Sequence, residues 1–221
     1  KGYEADGLLY LKSGSKEQNI LAKQGDDLRI DWGYFYMVAG KENTAYSVGN
    51  STELRKNFVN GTLNSASLEG EDSNGNMALV RSHGKVKNVT DKIMLGYDDI
   101  YSIQYFGTNL RPYWNSKGDR TIEAEMLAAY NEYDKLLARC YAFDKKLMED
   151  ASAAGGKEYA ELCALAYRQS IAAHKLVEAP NGDLLWLSKE NNSNGCINTV
   201  DLTYPSAPLY LIYNPELEKG M

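Results

Sequence analysis

The chain has 221 residues, 43% of them hydrophobic and 24% charged, and a formal net charge of −6. That length can bury one large core or two modest ones. Acidic and basic residues are interspersed, which excludes the basic stripe of a phosphate-tracking nucleic-acid binder, and no apolar run approaches the ~20 residues of a bilayer span.

The opening stretch, KGYEADGLLYLKSG, has no initiating Met and lacks the basic start and apolar run of a signal peptide. It reads as the start of a processed or excised piece, and localisation is not legible in it. Up to about residue 115, Tyr and Gly are frequent and apolar residues come in short runs between turns. GLLYLKSG (7–14), LRIDWGYFYMVAG (28–40) and KIMLGYDDIYSIQYFG (92–107) read as strands, punctuated by GDD, AGKEN and EDSNGN. Residues 1–115 are therefore expected to be a β-rich region, part of an antiparallel β-sandwich.

From residue 116 the period changes. Asp119 or Thr121 can cap a helix through residues 121–151, whose Ile122, Met126, Ala129, Tyr133, Leu136, Cys140, Phe143 and Leu147 form one apolar stripe. Gly155 and Gly156 stop it, and a second helix is expected over 157–177, antiparallel to the first. A Pro-Asn-Gly-Asp turn follows, then LLWL (184–187) as a short strand or buried extension. YPSAP (204–208) should forbid helix locally, and LYLIYNPELEKGM should begin another helix. Strands first and helices second give an α+β fold, with 116–221 as the helical region.

Few stretches carry chemistry. Cys140, Cys163 and Cys196 have no metal-ligand spacing, and only two histidines are present, so no metal or cofactor is expected. Cys140 and Cys163 sit about six residues out of register on consecutive helices, roughly 9 Å apart, too far for a disulfide. They read as buried thiols. In GDDLRIDW (25–32), Asp27, Arg29 and Asp31 share a strand face, which reads as a cross-bridged structural face. Asp98 and Asp99 point to opposite faces of a strand, so they form no dyad; one turned inward hints at a site. Arg168, within the apolar YAELCALAYRQSIAAHKL (159–176), would need a partner. The densest polar run is SKENNSNGCINTVD (188–201). Glu190 and Asp201 there are candidate acid–base groups, and Asn191, Asn192 and Asn194 can orient an amide or hydroxyl substrate. Cys196 has no His in its segment and is not read as a nucleophile.

SKEQNILAKQGDDLRIDWGYFY, YDDIYSIQYFGTNLRPYWN, EYAELCALAYRQSIAAHKL and SKENNSNGCINTVDLTYPSAPLYLIYNPEL together resemble the glutaminase family found in fungi and bacteria. The resemblance spans residues 15–217. The family's TVD-x-x-YPSAP element matches at Thr199, Val200, Asp201, Tyr204, Pro205, Ser206, Ala207 and Pro208. It implies a β-sandwich followed by an (α/α)6-type toroid of six helical hairpins, with this chain holding the end of the first and the start of the second. It also implies a secreted or periplasmic parent enzyme that hydrolyses the glutamine side-chain amide. No family motif assigns the catalytic residues. The expected set is Glu190 and Asp201 for catalysis, with Asn191, Asn192, Asn194, Arg168, Asp98, Asp99 and Tyr204 binding substrate. The expected partners are an amide substrate and the remaining toroid helices, and this piece is expected to be inactive alone. A glycoside hydrolase on the same toroid and a non-catalytic module are the alternatives.

Overall fold

The computed structural model describes residues 1–23, 30–63, 75–189 and 195–221. Leu8, Leu9, Tyr10 and Leu11 are all buried, which a strand achieves only when both its faces are covered. They belong to β2 (Leu8–Gly14), which lies in an antiparallel sheet ordered β1-β2-β3-β6. Its companions are β1 (Gly2–Ala5), β3 (Tyr34–Gly40) and β6 (Met94–Asp98). On one face Leu8, Tyr10, Tyr36 and Val38 gather around Met126 of helix α2 (Ile122–Asn131). On the other, Leu9 and Leu11 meet Tyr46 and Met77 from the hairpin of β4 (Thr44–Asn50) and β5 (Gly75–Arg81). Helix α1 (Ser51–Val59) follows β4 and is capped by Asn50, whose Oδ1 accepts from the Thr52 N–H at 2.9 Å.

Polar ties fix α2 to this sheet. Tyr3 Oη donates to Glu123 Oε1 at 2.5 Å, and Tyr10 Oη donates to the Glu123 carbonyl at 3.2 Å. Burial, with the Glu123 charge behind it, pushes the Tyr10 phenol up to about 12. Thr121 is the cap of α2, its Oγ1 accepting from the Ala124 N–H at 3.2 Å.

A second unit is made of residues from 19–31, 99–120 and 131–221. It contains the hairpin β7 (Ile103–Tyr105) and β8 (Thr108–Leu110), the long helix α3 (Tyr133–Ala172), and the hairpin β9 (His174–Glu178) and β10 (Leu184–Ser188). Helices α4 (Val200–Tyr213) and α5 (Pro215–Lys219) close it. α3 is broken at Gly156, which has φ +85°. The rings of Phe143 and Tyr167 lie 5.1 Å apart, whereas a straight helix would separate them by about 36 Å. The chain reverses at Gly156, so a helical hairpin is present, but its first arm starts at Tyr133: the single helix expected over 121–151 is broken at Glu132 into α2 and α3. The architecture is α+β with antiparallel strand pairs; apart from α1 the α-helices follow β8, and the β9–β10 hairpin lies between α3 and α4.

Several local expectations are corrected. The second helix does not reach residue 177: it ends at Ala172, because His174–Glu178 pairs with Leu184–Ser188 across the Asn181–Gly182 turn. YPSAP does not exclude helix, since α4 runs through Pro205 and Pro208. Ser206 Oγ bonds back to the Leu202 and Thr203 carbonyls, and burial of Ser206 and Tyr210 holds that helix in place. The 92–107 strand is two strands, parted where Ile100 takes φ +60°. The thiols are not buried: Cys140 and Cys196 are exposed and Cys163 is half-buried, all three reduced. Residues 138–142 are exposed throughout, so the turn of α3 carrying Cys140 is left uncovered by the described residues. β3 begins at Tyr34, after Gly33 at φ +85°; Asp27 and Arg29 lie outside the described residues, and Asp31 pairs with Lys23 at 2.9 Å.

Candidate functional site

The β9–β10 hairpin sorts its side chains by parity. Val177, Leu185 and Leu187 pack with Ile103 and Leu110, while His174, Trp186 and Ser188 face the other way. His174 stacks on Trp186 with ring centroids 4.9 Å apart and planes 13° from parallel, and Tyr210 meets both rings edge-on. Tyr210 Oη and Ser170 Oγ lie 2.6 Å apart. His174 Nδ1 is 2.6 Å from the Ser170 carbonyl, so Nδ1 carries the proton and donates, leaving a lone pair on Nε2. Burial holds the imidazole below its usual pKa, the Ser170 carbonyl opposing weakly.

Ser188 sits opposite His174 in the hairpin register and is fully buried. It is tied to Asn198. Asn198 Oδ1 accepts from the Ser188 N–H at 2.8 Å and from Ser188 Oγ at 3.3 Å, and Asn198 N–H donates to the Ser188 carbonyl at 3.0 Å. Its Nδ2 donates to the Met221 carbonyl at 3.0 Å, and a Lys189–Ile197 bridge completes the stem. Asn198 has φ +53°, a conformation that Asn tolerates better than most residues.

Beside this stem lies a cleft of ≈ 760 Å³ between the second half of α3, the end of β10 and α4. Its polar lining is Gln169, Ser170, His174, Ser188 and Ser206, set among Ala, Leu and Pro side chains. A few polar groups on an apolar wall suit a small, partly polar molecule. On the opposite face of the same hairpin end, Lys175 Nζ donates to Asp99 Oδ2 at 2.6 Å, and Ser102 Oγ donates to the same oxygen at 2.8 Å. Burial, and then the charge on Lys175, hold the Lys189 ammonium below its usual pKa.

The structure describes only part of the expected site. Glu190, Asn191, Asn192 and Asn194 lie outside the described residues. Asp99 is 2% exposed and engaged with Lys175, at the hairpin end that carries Lys189 and so leads into the 190–194 stretch. Asp98 ends β6 in the first unit, opposite Tyr34. Arg168 is exposed on α3, Asp201 is exposed in the first turn of α4, and Tyr204 is 80% exposed; none of the three lines the cleft. Sequence reasoning missed His174, Ser188 and Asn198. The one available signal was the NG turn at 181–182, which puts His174 on a strand opposite Ser188 and beside the polar run.

Residues 1–150 match the family described as a domain of unknown function, DUF5127, and residues 156–221 match the Glutaminase A six helical-hairpin domain. Glutaminase A of Aspergillus oryzae is 29% identical, over 99% of this chain and 33% of that protein. A probable glutaminase of Arthroderma benhamiae is 25% identical, over 94% of this chain and 26% of that protein. The chain thus spans about a third of one curated relative and about a quarter of the other. No solved structure matches it significantly. Among the described residues no helix is long and apolar enough to cross a membrane.

Proposed function

From a chain that belongs to the glutaminase family, its first 150 residues in DUF5127 and its C-terminal part in the six helical-hairpin domain, we propose a piece of an enzyme that hydrolyses the glutamine side-chain amide. The observation that carries this reading is the match of residues 156–221 to the Glutaminase A hairpin domain, because those residues build the cleft and its stem. In this reading residues 1–115 end the β-sandwich and 116–221 begin the toroid. The remaining hairpins of a longer, extracytoplasmic parent supply the other walls of the site.

Water adds to the amide carbon, Glu190 or Asp201 accepts its proton, and the proton passes to the departing nitrogen as ammonia leaves. Asn191, Asn192, Asn194, Arg168 and Tyr204 bind the polar ends of the substrate, with Asp99 a further contact acting through Lys175. Ammonia release from glutamine by the full-length parent tests this. A general base contributes roughly 10²–10⁴-fold, so Asp201→Asn or Glu190→Gln should lose at least about 10²-fold in kcat. Unchanged rates in both variants would remove these carboxylates from the mechanism. No ammonia from the wild type would remove glutamine as the substrate.

A further inference from the structure

All the buried side-chain polar atoms found without a partner among the described residues fall between His174 and Glu218. Two of them, His174 Nε2 and Trp186 Nε1, belong to the two stacked rings behind the cleft. A buried unpaired polar atom costs about 1–3 kcal/mol, and native structures hold few of them. Two of them fall on this one ring pair.

We propose that His174 is a proton-operated latch: as the neutral imidazole it holds β9, β10 and α4 together behind the cleft, and on protonation it releases them. The geometry gives the reason. Nδ1–H is already committed to the Ser170 carbonyl at 2.6 Å, so an added proton must go to Nε2. There it meets no acceptor among the described residues, and the ring lies flat against Trp186 with Tyr210 edge-on. A new cation would sit half-buried with its second N–H unsatisfied.

The groups around the ring offer no compensation. α3 presents Ser170, β10 presents Trp186 and Ser188, and α4 presents Tyr210, whose Oη lies 3.4 Å from Nδ1; only the tyrosine titrates. The charged neighbours on β9 are committed elsewhere, Lys175 to Asp99 on the other face and Glu178 to Lys117 and Ser116. α5 brings Glu218 against β10, but among the described residues no carboxylate acts on the ring: burial lowers its pKa and the Ser170 carbonyl opposes.

The sign follows from that lowered pKa. At pH above the ordinary histidine range the closed and open states bind the same number of protons, and the latch is fully set. Below about 6.5 the open state takes up a proton that the closed state refuses. Closure then weakens about tenfold per pH unit until the pKa of the closed state is passed. This inference does not depend on the substrate.

Hydrogen exchange of the full-length protein, read by mass spectrometry between pH 7.5 and pH 5, provides the test. Protection of segments 174–188 and 200–213 is compared with that of strand 8–14 in the same sample. In the wild type the first two segments should lose protection relative to the third on acidification. His174→Phe keeps a ring on Trp186, and His174→Gln keeps a donor for Ser170; neither can be protonated, and both should abolish the relative loss. A wild type with no relative loss, or either variant retaining it, overturns the latch. Should one variant fail to fold, the other decides.

Discussion

Asn198 shows how one side chain can tie a strand end to the chain ten residues on. Its amide serves the Ser188 N–H, Ser188 Oγ and the Met221 carbonyl while its backbone sits at φ +53°. Conformation and side-chain bonding can be separated by substitution. Asn198→Gly relieves the backbone but deletes the side-chain bonds; Asn198→Ala deletes the bonds and keeps the strain. Leaving the buried Ser188 N–H unpaired costs about 1–3 kcal/mol, so both variants should lower the thermal midpoint of the full-length protein, Ala more than Gly. Equal stability of Asn198→Ala and wild type would show that the stem does not depend on these bonds. Asn198 was readable as one amide among several in a polar run. Which amide is structural depends on pairing with Ser188, and pairing across ten residues leaves no local trace in a sequence.

Elements were legible where pattern and packing agree. The unbroken LLYL run requires a strand covered on both faces, and β2 is covered by α2 on one side and by β4–β5 on the other. Ile122 and Met126, the first two of the eight-residue stripe, do lie on the packed face of α2, whereas Tyr133 and Cys140 further along it are exposed. Met126→Ala should therefore cost about 2–5 kcal/mol, seen as a loss of exchange protection in strands 8–14 and 34–40. Protection unchanged in both strands would place the core of that unit elsewhere. Legibility failed where a long-range partner overrode a local rule. Residues 173–177 continue a helical period, yet β10 takes 174–178 as its strand partner. Pro205 and Pro208 oppose helix locally, yet α4 forms because Tyr210 is anchored against Ser170, His174 and Trp186. The same limit hid the cleft. His174 looked like the polar end of a helix and was in fact the centre of an aromatic box.

At the scale of the molecule, the helices of the second unit carry several large apolar side chains that are exposed. Tyr141, Leu162, Leu165, Tyr204, Leu211 and Ile212 are each between 49% and 80% exposed. Contiguous apolar patches beyond a few hundred Å² mark surfaces meant to be covered. The curated relatives are about three to four times longer than this chain, and the six helical-hairpin domain is named for more hairpins than the one that α3 forms. Further hairpins of the parent are the proposed cover, and two outcomes follow for residues 1–221 expressed alone. The piece should bind an apolar dye such as ANS and self-associate as its concentration rises, while the full-length protein does neither to the same extent per residue. It should also release no ammonia from glutamine, because a cleft walled only by α3, β10 and α4 lacks the rest of the ring. A monomeric, dye-silent piece would show that these faces need no cover. Turnover by that piece would show that the cleft beside Ser188 and His174 is a complete site in itself.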